Sequence, residues 1–169
     1  MDRRGKMTRS DRQMPDADAR AFLRAHSVAH VGTTGADGWP YVVPLMYVCE
    51  EDRRLYLHTG ARGGHFYSNV DDHTKICVTV SAPGEWQRGA PSAFDSSLVY
   101  RSVVVFGAVH VCEGPDLDER KTWFFDRLLE RLGDSRNNYA SGYPMLKQIV
   151  LYEVAIEILT GKINLGLHP

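Results

Sequence analysis

Leu55-Tyr56-Leu57-His58-Thr59-Gly60-Ala61-Arg62-Gly63-Gly64-His65 is the stretch on which the reading of this chain rests. Tyr56 and His58 alternate with Leu55, Leu57 and Thr59, the period-2 pattern of a strand with two different faces. Gly63 and Gly64 then break the strand, and a helix is predicted to open near His65. Glycines leave their amides unobstructed, and a helix start adds free N–H groups and the positive end of its dipole. Arg62 and His65 supply cationic or donor side chains at the same place. The turn therefore reads as an anion cradle that suits a phosphate best. On this stretch alone the plainer alternative stands beside it: two glycines that only punctuate a strand-to-helix turn.

Working outward, residues 27–34 and 41–49 read as two strands joined through Gly35-Ala36-Asp37-Gly38, a hairpin. Pro44, in the middle of the second, cannot donate to a ladder, which predicts a local edge or bulge. Before the hairpin, Pro15-Asp16 opens a short helix reaching His26, with Asp16 as its cap and Ala19, Phe22 and Leu23 as its buried stripe. After the cradle, residues 74–81 alternate as a strand, and residues 82–97 form a long Pro- and Gly-bearing loop that carries Trp86. A strand over 98–111 follows. Leu117, Lys121, Phe124, Phe125, Leu128 and Leu132 then recur at helical spacing between Pro115 and Gly133. The last strand spans 147–160, with Val150, Tyr152, Val154, Ile156 and Ile158 on one face and Glu153 and Glu157 on the other. Six strands linked mainly by hairpins, with helices outside, predict a mainly β protein built as a closed antiparallel barrel. Residues 1–14 read as a flexible N-terminal arm, and residues 15–169 as a single domain.

Composition excludes several classes of function. At 169 residues, 43% hydrophobic and 24% charged, the chain is one ordinary globular domain, and a net charge of -1 gives no reason to expect nucleic acid as a partner. Cys49, Cys77 and Cys112 lie far apart without a C-x-x-C pair, as in a reducing compartment. No apolar run approaches the roughly 20 residues that span a bilayer, so no membrane partner is expected. The basic N-terminus lacks the apolar stretch of a signal peptide, and a cytoplasmic location follows as the expectation. His26 and His30 straddle a helix-to-strand boundary, so no metal site is expected. Neither a G-x-S-x-G elbow nor a cysteine with a paired base is present, which leaves the chemistry to a cofactor.

The succession Asp37-Gly38-Trp39-Pro40-Tyr41-Val42-Val43-Pro44-Leu45, Leu55-Tyr56-Leu57-His58, Gly63-Gly64-His65 and Tyr100-Arg101-Ser102-Val103-Val104-Val105-Phe106-Gly107 resembles the flavin-binding split-barrel superfamily of pyridoxamine 5'-phosphate oxidase. Within it the chain is most similar to the nitroimidazole-resistance (Nim) branch, over roughly residues 16–162. The resemblance implies a six-stranded antiparallel split β-barrel, Greek-key-like, that forms a homodimer with FMN in two clefts at the subunit interface. By the same resemblance, Val43, Pro44 and Leu45 lie along the isoalloxazine ring, and His58 and Thr59 flank the flavin. Gly64 and His65 stand where relatives carry a basic pair for the phosphate. Here that pair is reduced to one histidine, which is only partly charged near neutral pH, with Gly63 before it and Arg62 in reach of the phosphate. Arg101 and Ser102 match a strand whose polar residues approach the flavin, and Trp86 and Tyr100 are assigned to the substrate face.

Each assignment has a plainer counterpart: a core histidine for His58, an ion pair with Glu153 or Glu157 for Arg101, and interface packing for Trp86. The implied activity is that of an FMN-binding oxidoreductase passing hydride or electrons between the flavin and a small, flat organic substrate, nitro-group reduction included. The alternative is a flavin- or small-ligand-binding module without turnover, or a split barrel that uses F420 or haem. No catalytic residue is assigned.

Overall fold

Alternation of apolar and polar residues lays down the strands of this chain, and the hairpins between them set their order. The computed structural model describes residues 2–60 and 62–167. In chain order these form β1 (Gln13–Met14), α1 (Asp16–Ala25), β2 (Val28–Thr34), β3 (Pro40–Glu50), β4 (Arg54–Thr59), α2 (His65–Asp72), β5 (Lys75–Gln87), β6 (Ser97–Val111), α3 (Leu117–Arg131) and β7 (Val150–Asn164). The sheet runs β1-β7-β4-β3-β2-β5-β6, and β6 pairs again with β7, so β2 to β7 close into an antiparallel barrel. After the β2-β3-β4 meander, β5 returns beside β2, which is a Greek key. The structure thus has seven strands where six were expected. The extra one, β1, is a two-residue strand laid against Gly161 and Lys162 of β7.

Inward side chains fill the barrel, among them Val31, Leu55, Leu57, Val78, Val105 and Tyr152, all fully buried. Each contributes about 1.5–3 kcal/mol by leaving water. The helix α1 packs Ala19 against Gly161, and the Tyr47 hydroxyl donates to the Leu23 carbonyl at 2.5 Å. The expected cap at Asp16 is not made. Asp16 lies inside the first turn, and its carboxylate accepts from Arg20 at 2.7 Å. At the other stretch of β7, α2 sets Phe66 edge-on to Tyr152, with ring centroids 5.1 Å apart, and the Asn69 amide donates to Thr33 at 3.0 Å.

On the outside, α3 covers Val48, Tyr56, Cys112 and Leu151 with Phe124 and Leu128, a second and smaller core. Its C-terminal end is fastened by Arg131, which donates to the carbonyls of His26, Tyr47 and Cys49 at 3.1, 3.3 and 3.4 Å. Gly133, at φ +76, then stops the helix as expected.

Two expectations are corrected by register. β5 continues to Gln87, so the first six residues of the predicted loop are strand, and Trp86 sits on it opposite Leu98. β5 pairs with β2 only at Cys77 to Thr79, so beyond that point it is an edge on one side, where Pro83 is tolerated. In β7, Phe106 of β6 stands opposite Ile158 while Gly107 stands opposite Ile156, so Glu157 is an extra, bulged residue. The bulge reverses the faces, turning Ile158 away from the Val154 side and bringing Leu159 and Ile163 against the core. Gly107 belongs to this corner, because a Cβ there would stand 2.1 Å from the Ala155 carbonyl oxygen. No helix among the described residues is long and apolar enough to cross a membrane.

Candidate functional site

The site begins with an incomplete pairing. From residue 40 to 46, β3 is paired with β2, whereas its pairing with β4 covers only Tyr47 to Glu50. Successive residues of a strand direct their backbone groups to opposite sides. Tyr47 N–H donates to the Ser27 carbonyl at 2.9 Å, so Tyr41, Val43 and Leu45 face β2 with their backbone. Val42, Pro44 and Met46 therefore offer theirs to the unpaired side. Pro44 stands at a local edge, as expected, and presents only a carbonyl there. The side chains of Val43 and Leu45 pack against the barrel core, while Val42 is 62% exposed.

His58 and Thr59 end β4 next to this edge. Thr59 points inward, its hydroxyl 2.9 Å from that of Tyr152. His58 points outward beneath α3, its ring 5.3 Å from that of Phe124 and 5.0 Å from that of Phe125. Its Nδ1 is buried and without a hydrogen-bond partner. Burial among these rings holds the imidazole below its usual pKa, so the neutral form is favoured.

The turn follows. Gly63 has φ +96, the left-handed region that favours glycine. Gly64 is the N-cap of α2 with φ -77 and ψ 162, and no side chain caps the helix. The first helical bond runs from Ser68 N–H to the Gly64 carbonyl at 3.0 Å, which leaves the amides of His65, Phe66 and Tyr67 without helical acceptors. A Cβ built on Gly63 or Gly64 meets nothing within 4 Å, so the space before these amides is open. His65 stacks on Tyr41, ring centroids 4.1 Å apart, and Arg62 lies over Tyr67 and 3.6 Å from Glu113. The Arg62–Glu113 pair is largely exposed and binds the arginine only weakly.

Val43, Pro44, Leu45, His58, Thr59, Arg62, Gly63, Gly64 and His65 are thus brought together, whereas Trp86, Tyr100, Arg101 and Ser102 are not among them. Ser102 stands opposite Lys162 of β7 and His58 opposite Leu151, eleven residues apart on one strand. At about 3.3 Å per residue this separates the two groups by roughly 35 Å along β7. Arg101 is exposed and pairs with neither glutamate. Glu153 is held by Arg54 and Arg120, and Glu157 by Arg4. Tyr100 lies under the Lys162 ammonium, and Trp86 is 62% exposed. Sequence reasoning missed Val42 and Met46, whose backbone shares the free edge with Pro44. The signal that finds them is the side of β3 on which Ser27 pairs. Among the described residues no group of three His, Cys, Asp or Glu side chains could hold a metal ion.

The family model described as pyridoxamine 5'-phosphate oxidase matches residues 15–163. No curated protein matches the chain by sequence. Solved structures with the same fold include a putative 5-nitroimidazole antibiotic resistance protein from Bacteroides thetaiotaomicron, 22% identical, covering 89% of this chain and 86% of that one, with a TM-score of 0.72. A FAD and haem binding protein from Mycobacterium smegmatis is 21% identical over 94% of this chain and 76% of its own, with a TM-score of 0.74. A flavocytochrome from Azotobacter vinelandii is 20% identical over 99% of this chain and 78% of its own, with a TM-score of 0.73.

Proposed function

Because the chain belongs to the pyridoxamine 5'-phosphate oxidase family, we propose that it is a flavin-binding oxidoreductase that takes FMN and acts on a small, flat organic substrate, a nitroaromatic included. The observation that carries this reading is the uncapped start of α2, flanked by Arg62 and His65, beside the free backbone edge of β3. The residues present fit the group. The amides of His65, Phe66 and Tyr67, with the Arg62 and His65 side chains, are donors for a phosphate. The Val42 and Met46 N–H groups and the carbonyls of Val42, Pro44 and Met46 are matched to the alternating donors and acceptors of a flavin ring's polar rim. His58, neutral and walled by Phe124 and Phe125, keeps charge and water away from that rim. A bound flavin supplies the hydride or electron transfer.

The similarity to a protein described as a putative nitroimidazole resistance protein supports the substrate class, and those described as binding FAD or haem support a redox cofactor. The distance between the two groups of site residues supports a homodimer, in which Trp86, Tyr100, Arg101 and Ser102 of a second copy reach the cradle. The exposed Trp39, Val42, Trp86 and Phe94 are apolar surface for such an interface. Three free cysteines suit a reducing compartment, the cytoplasm.

A visible spectrum of the purified protein, followed by titration with FMN and riboflavin, tests the cofactor. FMN is expected to bind at least about tenfold tighter than riboflavin, the share of one charge-assisted contact to the phosphate. Equal affinities would remove the cradle from the argument. Photoreduced protein mixed anaerobically with a nitroimidazole tests turnover: reoxidation of the flavin is expected, and a flavin that stays reduced leaves only a binding module.

A further inference from the structure

We propose that the cavity under the N-terminal half of α3 is a second anion site, built around the buried ammonium of Lys121, for a small organic acid whose oxyanion is carried on an apolar body. The cavity has a volume of about 400 Å³ and is lined on its polar side by Arg62, Lys121, Lys147 and Gln148, and elsewhere by apolar side chains such as Val111 and Leu117. Helical spacing puts Lys121 in the apolar stripe of α3, one turn from Leu117 and Phe124, and the structure buries it to 4% exposure.

A lysine that only spans a core on its way to solvent keeps its head in water. Lys121 does not. Its ammonium carries three N–H groups and donates to one protein acceptor, the Leu146 carbonyl at 3.2 Å. Among the described residues no carboxylate forms an ion pair with Lys121 or Lys147. The acid at the rim, Glu113, is 74% exposed and 3.6 Å from Arg62. A buried charge without a counter-ion is costly to the fold, and an anionic guest offsets that cost. The planar guanidinium of Arg62 and the amide of Gln148 add directional donors for a carboxylate or a phosphate, which share the oxyanion chemistry. The apolar walls set the rest of the guest, and the volume admits one ring.

Arg62 is shared with the flavin cradle, so the test uses Lys121 and Lys147, which that cradle does not employ. Calorimetric titration of the full chain with benzoate and with phenyl phosphate, and with neutral benzamide as the control, reads the site directly. At least one of the two acids is expected to bind saturably, and benzamide is not. Lys121→Met, of similar length and uncharged, should weaken the acid by about tenfold to a hundredfold, while Lys121→Arg retains binding. Lys147→Gln, at an exposed position that the fold does not depend on, should weaken it by about threefold to tenfold, and supplies the test should Lys121→Met fail to fold. FMN titrations of the same variants are expected to match the wild type, so a failed flavin reading leaves this site standing. No saturable binding of either acid up to about 10 mM overturns the proposal. So does binding of benzamide as tight as that of benzoate, or wild-type affinity in the folded Lys121→Met and Lys147→Gln proteins. Parallel loss of FMN and acid binding overturns the separateness of the site and makes the cavity the seat of the flavin phosphate.

Discussion

Replacing Gly64 with aspartate sets the stability of α2 against the binding of a phosphate. With φ -77 and ψ 162, position 64 suits any residue, and an added Cβ meets nothing within 4 Å, so the side chain enters without strain. The new carboxylate caps amides of the first turn that no side chain now satisfies. Over glycine the cap contributes a few tenths of a kcal/mol, and a negative charge at a helix N-terminus about 0.3–1 kcal/mol more. Together these amount to about 0.5–1 kcal/mol, or a rise of about 1–4 °C in Tm for a domain of this size.

The flavin phosphate would meet the same carboxylate. Two unit charges 4 Å apart repel by about 4 kcal/mol at an effective dielectric of 20, and with half of that lost to salt and relaxation about 2 kcal/mol remains, roughly a thirtyfold rise in Kd. Thermal unfolding of flavin-free protein measures the first effect, and quenching of flavin fluorescence measures the second. The expected result is a higher Tm, FMN affinity down by about thirtyfold or more, riboflavin affinity unchanged, and Gly64→Ala indistinguishable from wild type in FMN binding. FMN that binds Gly64→Asp as tightly as wild type would refute the placement of the phosphate at α2.

If His65 shares in the same grip, His65→Ala weakens FMN by about tenfold to a hundredfold and His65→Lys does not, whereas three coincident titration curves would leave the phosphate to the backbone alone. Because burial depresses the pKa of His58, the folded protein resists its protonation while the unfolded chain accepts a proton below about pH 6.5. Its contribution to stability is therefore full above that pH and is lost as pH falls toward the depressed value, by up to about 1.4 kcal/mol per pH unit. Urea midpoints measured between about pH 5 and pH 8 should fall further toward acid pH in wild type than in His58→Phe, and parallel curves contradict the assignment. Phe124 is fully buried between α3 and the sheet, and Phe124→Ala should cost about 3–5 kcal/mol by urea unfolding; a loss under about 1 kcal/mol would mean that α3 is not seated as described. Gly107→Ala would drive a methyl group to 2.1 Å from the Ala155 carbonyl oxygen, and a loss of more than about 2 kcal/mol is expected, with an unchanged midpoint counting against the bulge.

The parts of this fold that were legible in the sequence are those that a local rule dictates. Leu55 and Leu57 alternate with Tyr56 and His58, and each side meets a different core, one inside the barrel and one under α3. Gly63 and Gly64 mark a turn, and α2 opens at His65 as predicted. What stayed hidden depends on register, which no short window contains. Glu157 looks like one more outward residue of an alternating strand until β6 is set beside it, and only then is it the bulge that turns Ile158 over. Pro83 and Gly84 look like a loop because edge strands tolerate the same residues. The separation of Arg101 and Ser102 from His58 and Thr59 is likewise a matter of which ends of β7 they face. Lys121 was legible as a position, through its spacing from Leu117 and Phe124, but spacing does not say what a charged group in an apolar stripe is for.

Pro44 has a further effect on the life of this protein at high concentration. A strand edge with open backbone groups on every second residue is a template on which the strand of another molecule can add, the first step toward aggregation. Between residues 40 and 46 the open side of β3 would be such a template, were it not that its middle position carries no N–H. The donors that remain, on Val42 and Met46, are four residues apart, about 13 Å, twice the spacing at which a peptide partner must be met. A growing sheet therefore loses a rung at its centre, while a compact molecule that needs a carbonyl there loses nothing. The same proline that fits the edge for a ligand makes it a poor nucleus for fibres.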